Sequence, residues 1–413
     1  MSQHSKRPTI LSRSPDIIDL QTRDNSMKIG TELAELTAGI DALYRRTPRS
    51  DGFLDQEGLI PVAVAEVKAR PLADYDAAVD ALLALHDRLD GEAESALRRD
   101  YLGEMIDSLL TLVATFKEED VSFADRVRRQ IRVPTQKVSE DTLDGYRHII
   151  RDKLNEMGFG GGPLAEDLGR WEASVLVPRD QVLDTMRDLT LEARQRVSAT
   201  MYPMDDQWMD PVGVSDKPFS AYCDYPSRKV LMNLDFPYTR FSLKHLSTHE
   251  VFPGHLVHLA LREKYVAQGT MPLDGAQVVT SSASSALFEG IADNGMYFLD
   301  WIEGPEDELG VALQRLRGAL RCNAAWMMHA EGKTLDEIVP VIAEGGFQDS
   351  VTARSRLAFL GHRLRAPFVY AYWCGDMAVH DVWATVPTER RAEFWAYLYS
   401  NMLTPTTLKK HWV

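Results

Sequence analysis

Apolar residues recur along most of this chain with the period of an α-helix rather than that of a strand. Ile29, Leu33, Leu36, Ile40 and Leu43 form one stripe, which ends before Thr47-Pro48 and predicts a helix starting near Met27. Ala77, Val79, Leu82, Leu83 and Leu85 form a second over 73–90. Tyr101, Met105, Leu109, Leu112, Val113 and Phe116 form a third over 93–119, and further amphipathic segments cover 140–157 and 178–200. Residues 1–26 lack this period and are expected to be a flexible tail, with Met27 as an alternative start. The run Gly158-Phe159-Gly160-Gly161-Gly162-Pro163 interrupts the helices. It has neither dinucleotide-binding spacing nor the Lys-Ser/Thr of a P-loop, so it reads as a linker. The expected organisation is an N-terminal helical region over 27–160 and a second region over 161–413, packed as one compact unit.

The texture changes after Tyr202, where residues 203–240 are rich in Pro, Asp and aromatics. Pro218–Tyr225 and Arg228–Leu234 predict two short strands joined at Pro226-Ser227. Helical patterns then resume over 241–265, 277–302, 305–329, 334–345, 348–361, 367–386 and 388–401. The expected fold class is mostly α, with many helices and one small hairpin or sheet ahead of the helix that begins at 241.

Composition narrows the function classes. A net charge of −15 makes the chain a poor partner for nucleic-acid phosphates, which call for clustered Lys and Arg. Cys223, Cys322 and Cys374 are widely spaced and odd in number, which argues against a disulfide framework and against a thiolate zinc site. No run of eighteen apolar residues occurs, and the N-terminal residues lack an apolar signal core, so no membrane partner and a cytoplasmic location are expected.

Candidate chemistry concentrates at Leu246-Ser247-Thr248-His249-Glu250-Val251-Phe252-Pro253-Gly254-His255-Leu256-Val257-His258. A His-Glu pair on an apolar helix begins the HExxH pattern, in which two histidines one turn apart bind zinc and the Glu activates the bound water. Here Pro253 stands where the second histidine would be. The next histidine, His255, would lie about 240° around a regular helix from His249. Pro253-Gly254 breaks that regularity, and an inserted turn can bring His255 back. Downstream, Glu289 and Asp293 share a helix face. In zinc sites built this way, the Glu ligates and the second acid fixes the tautomer of a ligand histidine. His249, His255 and Glu289 are thus the candidate ligands of one Zn2+ or other divalent ion, with Glu250 as base. The same donors suit a non-haem iron triad, so metal identity stays open.

His-Glu-x-x-Pro-Gly-His resembles the signature of a bacterial family long catalogued as a domain of unknown function, with the motif HExxPGHH. That family is grouped with gluzincin-type zincin metallopeptidases, near the Taq-type carboxypeptidases. The similarity extends to the aromatic segment Tyr222 to Asn233, to Glu289-Gly290 and to Tyr372-Trp373-Cys374-Gly375. It departs at Leu256, where the family has a second histidine, at His258, where it has Gln, and at Ile291, where it has Trp. Many relatives also look exported. The resemblance implies a zincin-like fold over the catalytic half. It also implies a zinc-dependent peptidase or amidase acting on short peptides or small amides, with Tyr372 stabilising the oxyanion. Gluzincin-type enzymes hold extended substrates along a sheet edge, which makes Tyr222 and Asn233 candidate groove residues.

The remaining candidates are weaker. His258 and Asp293 are expected to support the ligands, and His245 shares a face with His249. Tyr370, Arg363 and Arg365 form a late cluster in which an arginine can clamp a substrate carboxylate. His329, His362 and His380 stand alone and read as structural; Ser281 and Ser282 lack a nucleophile elbow. Two other readings share this motif: a metalloenzyme of small-molecule metabolism, and a helical binding protein with a dead site.

Overall fold

A computed structural model describes residues 20–47 and 53–412. Helix makes up 64% of the chain and strand 5%, so the fold is mostly α. Polar caps set several helix starts where the apolar stripes begin. Asp74 accepts from Ala77 N ahead of Tyr75–His86, and Ser95 accepts from Arg98 N ahead of Ala96–Phe116. Thr334 and Glu337 close a reciprocal capping box on Leu335–Gly345. The first helix spans Leu20–Arg46, beginning before the expected Met27; the rest of the expected tail lies outside the described residues.

The apolar stripes bury into three clusters. Leu33, Leu36, Ile40, Leu82, Leu109 and Leu112 of the N-terminal helices pack together with Met271, Val279, Leu364 and Met402 from the far half of the chain. A buried bidentate pair spans the same contact, with Arg98 Nη1 and Nη2 at 3.0 and 2.9 Å from the Asp274 carboxylate. The second cluster joins Glu140–Glu156, Leu164–Ser174, Pro305–His329, Leu335–Gly345 and Val369–Trp383. The third surrounds the segment carrying His249. The glycine-rich linker is a corner between Glu140–Glu156 and Leu164–Ser174. The buried Asp167 carboxylate holds it, accepting from Gly162 N at 3.1 Å, Arg170 at 2.7 Å and Arg151.

Five short strands occur among the described residues: β1 (Val62–Ala63), β2 (Asp210–Val214), β3 (Ala221–Asp224), β4 (Lys229–Asn233) and β5 (Gln277–Val278). β3 and β4 form the expected hairpin, with Tyr222 opposite Leu231. β2 adds parallel to β4, so the order is β2-β4-β3 and β3 is an edge. β2 is an addition to the expected hairpin: Pro211 and Gly213 mask its strand pattern in the sequence, and an edge position tolerates both. The helix expected over 277–302 is shorter. Its first third is β5 and a buried turn, and helix runs over Ser285–Asp293 and Gly295–Phe298.

Candidate metal centre

The helix expected over 241–265 is split at the motif. Arg240–Leu246 is helical, the backbone widens over Ser247–Val251, and helix resumes at His255–Ala267. Phe252 N bonds to Ser247 O at 3.0 Å and Gly254 N to Thr248 O at 2.9 Å, spans of five and six residues instead of four. Gly254 is obligatory here, because a Cβ would lie 1.8 Å from His249 O. The Tyr399 hydroxyl, from the helix Arg391–Ser400, donates to Pro253 O at 2.7 Å and holds the turn from outside. The inserted turn cancels the rotation that would separate the histidines, and the His249 and His255 rings lie 4.6 Å apart.

Glu289 reaches them from the helix Ser285–Asp293. Its Oε2 lies 3.4 Å from His249 Nε2 and 3.7 Å from His255 Nε2, and each of the three residues is 7% exposed. Four ligands around zinc at ordinary bond lengths sit roughly 3.3–3.6 Å from one another. The donor spacing therefore fits such an ion.

Asp293, one turn beyond Glu289, completes the arrangement. Its Oδ1 lies 2.8 Å from His249 Nδ1, which leaves Nε2 facing Glu289. His245 Nε2 lies 3.3 Å from the same oxygen, and Gln314 Nε2 contacts both His245 and Asp293, at 3.0 and 3.3 Å. The charge balance points the same way. Burial pushes the Glu289 carboxyl up, but hydrogen bonds from His249 and His255 and their charges outweigh it and bring it to about 2. Burial pulls the His249 imidazole down, yet Asp293, Glu289 and Glu250 hold it well above its ordinary range. A buried imidazole that keeps a proton among carboxylates marks excess negative charge, which a bound cation neutralises. Asp293→Ala is expected to weaken metal binding by about 10–100-fold with the fold intact, read by competitive chelator titration. Unchanged affinity would remove Asp293 from the site.

These groups form part of the lining of a cavity of about 700 Å³, which Glu250, Tyr372, Tyr222 and β3 also line. Glu250 is 6% exposed and makes no hydrogen bond to protein among the described residues. Tyr372 comes from Val369–Trp383, which crosses Ser285–Asp293 at backbone contact. A Cβ on Gly290 would lie 2.1 Å from Gly375 O, and one on Gly375 2.0 Å from Ala286 O. Burial and the Glu289 charge push the Tyr372 phenol up, so it remains a donor.

Four expected site residues lie elsewhere. Asn233 is buried and donates to Lys217 O and Phe219 O at 2.9 and 3.1 Å, tying down the loop before β3 rather than lining a groove. Tyr370 is a core residue, 1% exposed, against Phe123. Arg363 donates to Thr115 O at 2.6 Å, outside the cavity. His258 bonds to no ligand; it packs between Phe288 and Tyr399, and burial drives it well below the ordinary imidazole range. Arg365 does line the cavity, paired with Glu57. Gln314, Arg317, Arg321 and Arg356 were missed. The first three form a polar stripe on Pro305–His329, and by spacing alone such a stripe is indistinguishable from a solvated helix face.

No protein-family profile matches the chain, and no curated protein matches it. Solved structures that share the fold include the following two. One is "the putative lipoprotein from Colwellia psychrerythraea", with a TM-score of 0.55 and 13% identity over 81% of this chain and 68% of that one. The other is "a putative lipoprotein of unknown function from Shewanella oneidensis", with a TM-score of 0.51 and 14% identity over 83% of this chain and 74% of that one. Those neighbours overturn the cytoplasmic expectation. The cysteines do not fix a compartment either, because three buried free thiols stay inert through burial itself. Among the described residues no helix is long and apolar enough to cross a membrane.

Proposed function

We propose that the chain is a metal-dependent hydrolase of the gluzincin type, acting on peptides or small amides with zinc as its ion. The observation that carries this reading is the convergence of His249, His255 and Glu289 on one cavity wall, beside a buried Glu250 that makes no hydrogen bond to protein among the described residues. His249, His255 and Glu289 would hold the ion, which when bound supplies a Lewis acid that polarises a carbonyl and acidifies water. The protein's own groups supply the rest. Glu250 takes the proton of the attacking water and returns it to the leaving nitrogen. The Tyr372 phenol, kept protonated, donates to the oxygen on which charge develops. The β3 edge gives an extended substrate a strand to align on, and Tyr222, which lines the cavity, flanks it.

Elemental analysis of purified protein beside His249→Ala tests this first. About one zinc per chain, lost in the variant, is the expected result. Iron at that stoichiometry would move the chemistry away from hydrolysis, and no metal after reconstitution would sink the reading.

A further inference from the structure

The helix Pro305–His329 turns one polar face to the cavity. Gln314 reaches His245 and Asp293 at the metal end, and Arg317 and Arg321 follow it along the same face. Seven residues separate Gln314 from Arg321, a rise of roughly 10 Å along the axis. Arg356, at the end of Ser350–Arg356, lines the cavity as well. The cationic end is continuous with the reaction centre, because the Arg321 guanidinium lies 5.3 Å from the Tyr372 ring.

These arginines differ in what holds them. Arg317 has structural partners: Gly346 O at 2.9 Å, Phe347 O at 3.2 Å and Glu172 at 3.1 Å. Arg365 is neutralised by Glu57. Arg321 and Arg356 are half-buried and make no ion pair or hydrogen bond to protein among the described residues. Burial and then the neighbouring charges of Arg317 and Arg321 push Arg356 down to about 10. Two guanidiniums without an ion pair among the described residues face one confined space and repel each other. The nearby Glu172 charge offsets this at Arg356 only in part, while the chain around them carries a net charge of −15. Such a pair is costly unless an anion occupies the space between. The forked donors of arginine match a carboxylate. The remaining wall mixes the aromatic rings of Phe219, Phe236, Phe347 and Phe368 with polar groups, Glu172, Asp349 and Thr352 among them.

We propose that Arg321 and Arg356 anchor a free carboxylate of the substrate, so that the cavity selects acidic amides or peptides with an apolar or aromatic neighbour over their neutral counterparts. This rests on the hydrolase reading for the word substrate, but the anchor itself needs neither metal nor turnover.

The test is calorimetric titration of the metal-free full chain with N-acetyl-L-phenylalanine, its carboxamide and inorganic phosphate. The acid is expected to bind at least 10-fold tighter than the carboxamide. Arg321→Gln and Arg356→Gln should each lose about 10-fold or more for the acid and leave the carboxamide unchanged, which also shows that the cavity is intact. Arg321→Lys should retain part of the preference. Equal affinity for acid and carboxamide, equal losses for both, or no binding of the acid at millimolar concentration would overturn the proposal. So would phosphate binding tighter than the acid. If the acid preference holds and the purified protein carries no metal even after reconstitution, the hydrolase reading fails and the anchor stands. If zinc is present and the preference absent, the anchor alone fails.

Discussion

Glu250→Gln is expected to cut turnover by about 10³-fold while leaving the metal content at the wild-type level. The side chain keeps its volume and its place in the cavity wall, but an amide cannot take a proton at neutral pH. Glu250 makes no hydrogen bond to protein among the described residues, so the exchange breaks no internal contact, and folding should be unaffected. Steady-state hydrolysis of a short acyl-peptide, run beside elemental analysis, separates the outcomes. Activity lost with metal retained identifies the base. Activity retained would show that the reaction proceeds without Glu250, and the assignment of the motif's acid would be wrong. Loss of both would make Glu250 a support of the metal rather than a proton carrier.

The second large effect is expected at a residue remote from the proton chemistry. Gly375→Ala should destabilise the fold by about 3 kcal/mol or more, since overpacking of this kind is usually felt at 1–3 kcal/mol against side chains that can shift. Here the obstructing atom is Ala286 O, 2.0 Å from the added Cβ, and backbone within a helix has little room to yield. The two helices must part, and they carry Glu289 and Tyr372. A displacement of 1 Å in such a constellation costs on the order of 10²-fold in rate. Urea unfolding and turnover at low denaturant should therefore both fall. Gly145→Ala, on an exposed helix face with nothing within 4 Å, is the control, and it should stabilise by up to about 1 kcal/mol. Equal effects at both glycines would show that the close helix crossing does not constrain the site.

Much of this protein is determined locally. The 3.6-residue stripes place most of the longer helices within a few residues, because one continuous apolar face must be buried whatever lies opposite it, although Leu164–Ser174 and Pro405–His411 were not expected. Pro305 with its following acids and the Thr334–Glu337 box set two helix starts within one residue of the expected positions. His249, His255, Glu289 and Asp293 are legible for a related reason. Metal-ligand chemistry permits few residue types, and the i, i+4 relation of Glu289 to Asp293 survives in any helix. Tertiary structure decided the rest. Whether His255 faces His249 depends on a turn that Gly254 permits and Tyr399 holds from well over a hundred residues away. Asn233, Tyr370 and Arg363 carry plausible site chemistry, but packing sends each of them elsewhere. The same packing folds the Gln314–Arg317–Arg321 stripe inward, because Val369–Trp383 and the segment ending at Arg356 close over the cavity. Spacing along a helix says which residues share a face; only the elements packed around that face decide whether it meets water or a substrate.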